Sequence, residues 1–156
     1  MLTKQQIIDA IRPIHSKFGT ACTLHLLELA VASHMLNRNR IDTRIGTNWN
    51  RICNLIDSAA RRLDFDSLPE NANSQISDLY ELVADEGILH VMSALGRVVE
   101  EDKLDAEFQF EYTKDNEASA DDIAAAKDNA RIATRSLRCL TTLTDRIDHI
   151  AQSFEL

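Results

Sequence analysis

Glycine and proline are scarce in this chain, with four Gly and two Pro among 156 residues. That scarcity excludes loop-rich and many-stranded folds, whose reversals depend on those two residue types. Aromatics are only 5% of the chain, with a single Trp, so the core has to be largely aliphatic. The three Cys are odd in number and far apart, which excludes a fully paired disulfide framework. Cys22, Cys53 and Cys139 lie on or beside apolar stripes and read as small buried hydrophobes in a reducing compartment. The alternative is one disulfide with a thiol left over. No apolar run is long enough for a membrane span: residues 21–36 are interrupted by His25, Glu28 and His34, short of the ~20 residues needed. The first residues lead into a capped helix rather than a basic segment and an apolar run, so the expected setting is cytoplasmic. Basic residues are in deficit too. The net charge of −8 disfavours general nucleic-acid binding, which needs cations against phosphates.

Motifs of catalysis are missing as well. There is no Gly-x-Ser-x-Gly elbow and no glycine-rich phosphate loop, so an enzyme is the less favoured class and no cofactor is implied. Among the five His, His25 with Glu28 is the first place to look for a metal, since residues three apart share a helix face. A carboxylate-bridged di-metal bundle uses Glu-x-x-His on two helices, whereas here the order is reversed and occurs once. Cys22 with His25, Glu86 with His90 and Asp145 with His149 share faces without a second ligand pair at zinc spacing.

What the chain does contain is helical periodicity. From Ile123, the positions Ala126, Ala130, Ala133, Leu137, Leu140, Thr144, Ile147, Ala151 and Phe154 advance by threes and fours, with only Thr144 polar. Residues 119–154 therefore predict a helix on the order of 50 Å long. Ser119 with Asp122 supplies its cap. At the other end, Thr3 and Gln6 form a capping box before a face of Ile7, Ile11, Ile14 and Phe18. Pro13 predicts a kink in that helix and Gly19 its end. Residues 20–37 are apolar on nearly all sides, which suits a central helix. A third helix, capped by Thr47, carries Trp49, Ile52, Ile56, Ala60 and Leu63. Ile76, Leu79, Tyr80 and Val83 mark a fourth, with Ser67 to Glu70 as an alternative start. Ile88, Met92, Leu95 and Val99 mark a fifth, whose Gly96 suggests a close helix crossing.

Residues 104–112 are ambiguous. Leu104, Ala106, Phe108, Phe110 and Tyr112 alternate with polar residues, the period of a strand. Residues 40–45 are the one internal pairing candidate for a short two-stranded ribbon; an extended connector is the favoured reading. The fold class expected is thus one all-α domain, a bundle of about six helices with a long C-terminal helix.

Charge is unevenly placed. Residues 64–122 hold seventeen of the 25 acidic residues and three of the 17 basic ones. The bland account is a solvated face; the functional one is an acidic docking surface for a basic protein partner. On the functional account the contact residues are Glu100, Glu101, Asp105, Glu107, Phe108, Phe110, Glu111 and Tyr112, the aromatics acting as anchor. Arg38, Arg40, Arg44 and Arg51 form one basic group; Lys127, Arg131, Arg135 and Arg138 form a ridge on the last helix. Pairing with the acidic segment is preferred over phosphate binding for both. A helix-turn-helix in residues 20–63 is the nucleic-acid alternative, weakened by the long separation of its helices. The length of the last helix favours a homodimer, since ordinary helices could not cover it.

Overall fold

The computed structural model describes residues 1–38, 43–65, 67, 68 and 70–153. Five helices account for almost all of them: α1 (Lys4–Arg38), α2 (Thr43–Arg62), α3 (Asn73–Glu86), α4 (Ile88–Asp115) and α5 (Ala120–Ser153). The all-helical class is as expected, and the count among the described residues is five, with the two predicted amino-terminal helices joined end to end as α1 across a kink at Gly19.

The reciprocal capping box forms as the sequence predicts. The Gln6 N–H donates to Thr3 Oγ1 at 3.2 Å and the Thr3 N–H donates to Gln6 Oε1 at 2.9 Å. Within α1 the backbone leaves helical angles at Gly19 (φ 79°, ψ 173°) and not at Pro13. A proline costs a helix one hydrogen bond, whereas this backbone conformation is open essentially to glycine alone. His15 Nε2 and the Thr20 hydroxyl share a 2.7 Å hydrogen bond across the break.

The hub of the bundle is α1, which packs against α2, α3 and α4, while α5 lies on α4 and α2. The long last helix is therefore a flank, not the axis. The buried residues explain this: Ile7, Ile8, Ile11 and Ile14 before the break, and Leu24, Leu26, Leu27, Ala30 and Val31 after it, are all in the core. From α2 come Trp49, Ile52, Ile56 and Ala60; from α3, Leu79 and Val83; from α4, Ile88, Val91, Met92, Leu95, Val98 and Val99; from α5, Leu140, Leu143, Ile147 and Ile150.

Four local expectations are corrected. Helix α2 starts at Thr43, ahead of the predicted cap at Thr47, and α3 starts at Asn73, not at Ser67. Gly96 does not mark a close crossing, since a methyl group there would meet no atom within 4 Å. Residues 104–112 are helical, so there is neither ribbon nor connector, and no strand occurs among the described residues. Of the proposed pairing segment, residues 40–42 lie outside the described residues and 43–45 belong to α2. The alternation misleads because it superposes two helical stripes: Ala106 and Phe110 are half-buried, while Leu104, Phe108 and Tyr112, each four apart, are exposed.

Burial also defines an arm. The last buried residue of α4 is Val99, and Ser136 is the first buried residue of α5 among those described. Beyond these points residues 100–135 form an antiparallel hairpin whose seam is only half-buried: Ala106, Phe110 and Thr113 on α4, Ile123, Ala126, Ala130 and Ala133 on α5. The small alanines let the helices approach closely. At the tip, the Asn116 N–H donates to Tyr112 O, and Ser119 Oγ accepts from the Asp122 N–H at 3.2 Å. Helix α5 packs along α4 and α2 of its own chain, so its length alone does not call for a twin copy.

Candidate functional site

The arm's outer face is the first candidate. Leu104, Phe108 and Tyr112 are 56%, 63% and 55% exposed, values at which large apolar side chains contribute little to the fold. The rings of Phe108 and Tyr112 stack at 6.4 Å between centroids, which pre-forms an aromatic ledge. Charged residues line it. Asp105, Glu107, Glu111 and Asp115 are exposed, with Glu107 3.6 Å from Lys103 and Glu111 3.6 Å from Lys114. Pairs of this kind on a wet helix surface are weak and leave the carboxylates free to exchange partners.

The predicted contact set divides between this face and the interior. Phe108, Tyr112, Asp105, Glu107 and Glu111 share the exposed part of the arm. Phe110 turns toward α5 and is half-buried, with Lys114 Nζ 5.1 Å from its ring centre. Glu101 accepts a 2.7 Å hydrogen bond from Arg12 of α1, and Glu100 lies 3.4 Å from Arg97 on its own helix. Asp102 Oδ2 approaches His15 Nδ1 at 3.0 Å without hydrogen-bond geometry. Burial holds the His15 pKa below its usual value, against the pull of Asp102. Glu101 and Asp102 thus bring the base of the arm against α1, and the carboxylates beyond it face water. Leu104 belongs to the ledge although it lies outside the predicted set; a four-residue spacing read from Phe108 back finds it.

The arginines gather elsewhere. Arg62 of α2 and Arg135, Arg138 and Arg146 of α5 line a groove of about 480 Å³ floored by Leu55, Ala59, Leu63 and Leu143. Arg135 bonds Asp64 at 3.2 Å and the Arg62 carbonyl, and Arg131 bonds Asp128 at 2.7 Å. Arg135 thus pairs with the first residue of the acidic segment 64–122, while Arg131 pairs within its own helix. Arg40 lies outside the described residues, and Arg51 is exposed beside the groove's far end.

The third candidate is the pair singled out for metal. His25 Nδ1 lies 3.3 Å from Glu28 Oε2 on α1, and Asp57 of α2 joins them, a residue that no sequence spacing could connect to the pair. The His25 ring stacks on Phe65 at 4.2 Å. Burial first, then the nearby Asp57 charge, raises the Glu28 pKa, with His25 opposing. One turn earlier on α2 the Cys53 thiol is pushed up to about 11 by burial and then by Glu28. All three thiols are free, Cys53 buried and the others half-buried, and no disulfide forms.

Fold and surface together define an all-helical bundle bearing an acidic two-helix arm, and no helix among the described residues is long and apolar enough to cross a membrane. Comparison with protein-family models, with curated proteins and with solved structures finds no match.

Proposed function

We propose that the protein acts by binding another protein, not by catalysis, and that the outer face of the arm is the docking surface. The observation that carries this reading is the exposed row Leu104, Phe108 and Tyr112, set at one-turn spacing among carboxylates. Apolar anchors of this size are enriched where interfaces form, and a row at i, i+4 and i+8 suits an amphipathic helix laid alongside. Residues 100–122 hold ten acidic and two basic residues, so the complementary occupant is a partner helix with an apolar stripe and flanking Lys or Arg. A second copy of the chain is the poorer fit, because two such faces would bring like charges together.

A photo-crosslinking residue at position 108, introduced in cells of the native host, tests the reading. The expected adduct is a protein whose crosslinked segment is a basic helix, lost when Glu107 and Glu111 are changed to Lys. The same crosslinker in place of the exposed Ser77 of α3 serves as control. An adduct to the chain itself, or none above the Ser77 control, overturns the proposal.

A further inference from the structure

We infer that His25, Glu28 and Asp57 form a binding site for one divalent transition-metal ion of the zinc class, clamping the second half of α1 to α2. The site lies on helices that take no part in the arm's outer face and stands independently of the docking role.

Geometry carries the inference. His25 and Glu28 are three residues apart on one face of α1, and Asp57 reaches the same point from α2. One ligand atom from each residue lies within 4.8 Å of the other two. His25 Nδ1 and Glu28 Oε2 are 3.3 Å apart, an ion-pair distance, and both atoms are shielded from water. An imidazole nitrogen and a carboxylate oxygen held this close are joined by the imidazole proton, and a divalent ion can take that proton's place. A tetrahedral ion at about 2.0–2.1 Å from each donor spaces adjacent donors by about 3.3 Å, so the pair already has the edge length of such a sphere. Asp57 has to close from within 4.8 Å to the same spacing when the ion binds.

The donor set selects the ion. An imidazole nitrogen with two carboxylate oxygens suits zinc and its first-row neighbours, whereas magnesium and calcium prefer oxygen alone. Three protein donors leave the fourth coordination position to water. The stacked Phe65 ring fixes the plane of the imidazole, so the donor nitrogen is oriented before any ion arrives. Arg61 competes for the site, its Nε standing 3.0 Å from Asp57 Oδ2. That contact takes one carboxylate oxygen and belongs to an exposed Arg, so a dication can claim the other oxygen or displace the pair.

The test is a zinc titration of chelator-treated protein by calorimetry, with melting temperature followed in parallel. One equivalent should bind saturably, and the melting temperature should climb with the logarithm of free zinc. His25→Gln and Glu28→Gln should each weaken binding by roughly tenfold or more, as loss of a direct donor must exceed loss of a supporting contact. His90→Gln, on the exposed side of α4, should bind as the parent does. Where a variant does not fold, cobalt added to the unaltered protein gives a second readout: visible bands of a low-coordinate centre, abolished by zinc. Absence of saturable binding, equal binding by the Gln variants, or absence of cobalt bands overturns the inference.

Discussion

Replacing Gly19 with Ala probes the residue at which α1 is broken. Its angles (φ 79°, ψ 173°) lie in a region that side-chain-bearing residues occupy at a cost of about 1–3 kcal/mol. No neighbouring atom lies within 4 Å of the position a methyl would take, so that cost is purely one of backbone conformation. A smaller unfolded-state gain of about 0.4–1 kcal/mol offsets part of it, because Ala restricts the denatured chain. The chain cannot escape by straightening, since Ile7, Ile11 and Ile14 before the break and Leu24, Leu27 and Val31 after it are all committed to the same core. The net expectation is a destabilisation of about 1–2 kcal/mol, or a fall in melting temperature of about 2–8 °C for a domain of this size. Urea denaturation followed through the single, buried Trp49 measures it directly. The matched control is Gly96→Ala, where the backbone is helical and the space equally open; there the same added methyl should stabilise by about 0.5–1 kcal/mol. A Gly19→Ala protein as stable as the parent would mean that α1 does not turn at this residue, and the path of the amino-terminal half would have to be redrawn.

Further predictions separate the two stripes of the arm and the pH response. Phe108→Ala should change stability by no more than about 0.5 kcal/mol, while Phe110→Ala, taken from the seam, should cost clearly more; paired urea curves decide, and equal effects would contradict the assignment of faces. The buried His15 has a folded pKa below its unfolded value of about 6.5, so the unfolded chain takes up the proton first. Its contribution to stability is complete above that pH and is lost as the pH falls through it toward the folded value. Denaturation at successive pH values should show this decline, and His15→Asn should flatten it.

Much of the helical plan could be read in the residues themselves. The spacing of Leu137, Leu140 and Ile147 places α5, and the Thr3–Gln6 pair opens α1 as an isolated sequence pattern would. Both rest on local periodicity and capping, which need no knowledge of neighbours. Residues 104–112 mislead for an equally local reason: apolar side chains at every second position satisfy a strand, and satisfy a helix just as well when two of its faces are apolar. Which of the two forms depends on the alanines of α5 lying alongside, and that is tertiary information. The same limit governs the candidate sites. His25 and Glu28 share a turn and are visible as a pair; Asp57 reaches them only because α2 folds back on α1. Likewise Arg62 meets Arg135 only once α2 lies on α5.

The arm and the arginine groove give α5 two electrical ends. The tip of the acidic arm and the middle of the groove are separated by some twenty residues of helix, about 30 Å, against a screening distance of about 8 Å at physiological salt. Each end is therefore felt by an approaching molecule without much reference to the other. The net −8 describes migration in a distant field; at contact range the surface presents an anionic pole and a cationic pole, and a visitor is turned toward one or the other before it touches.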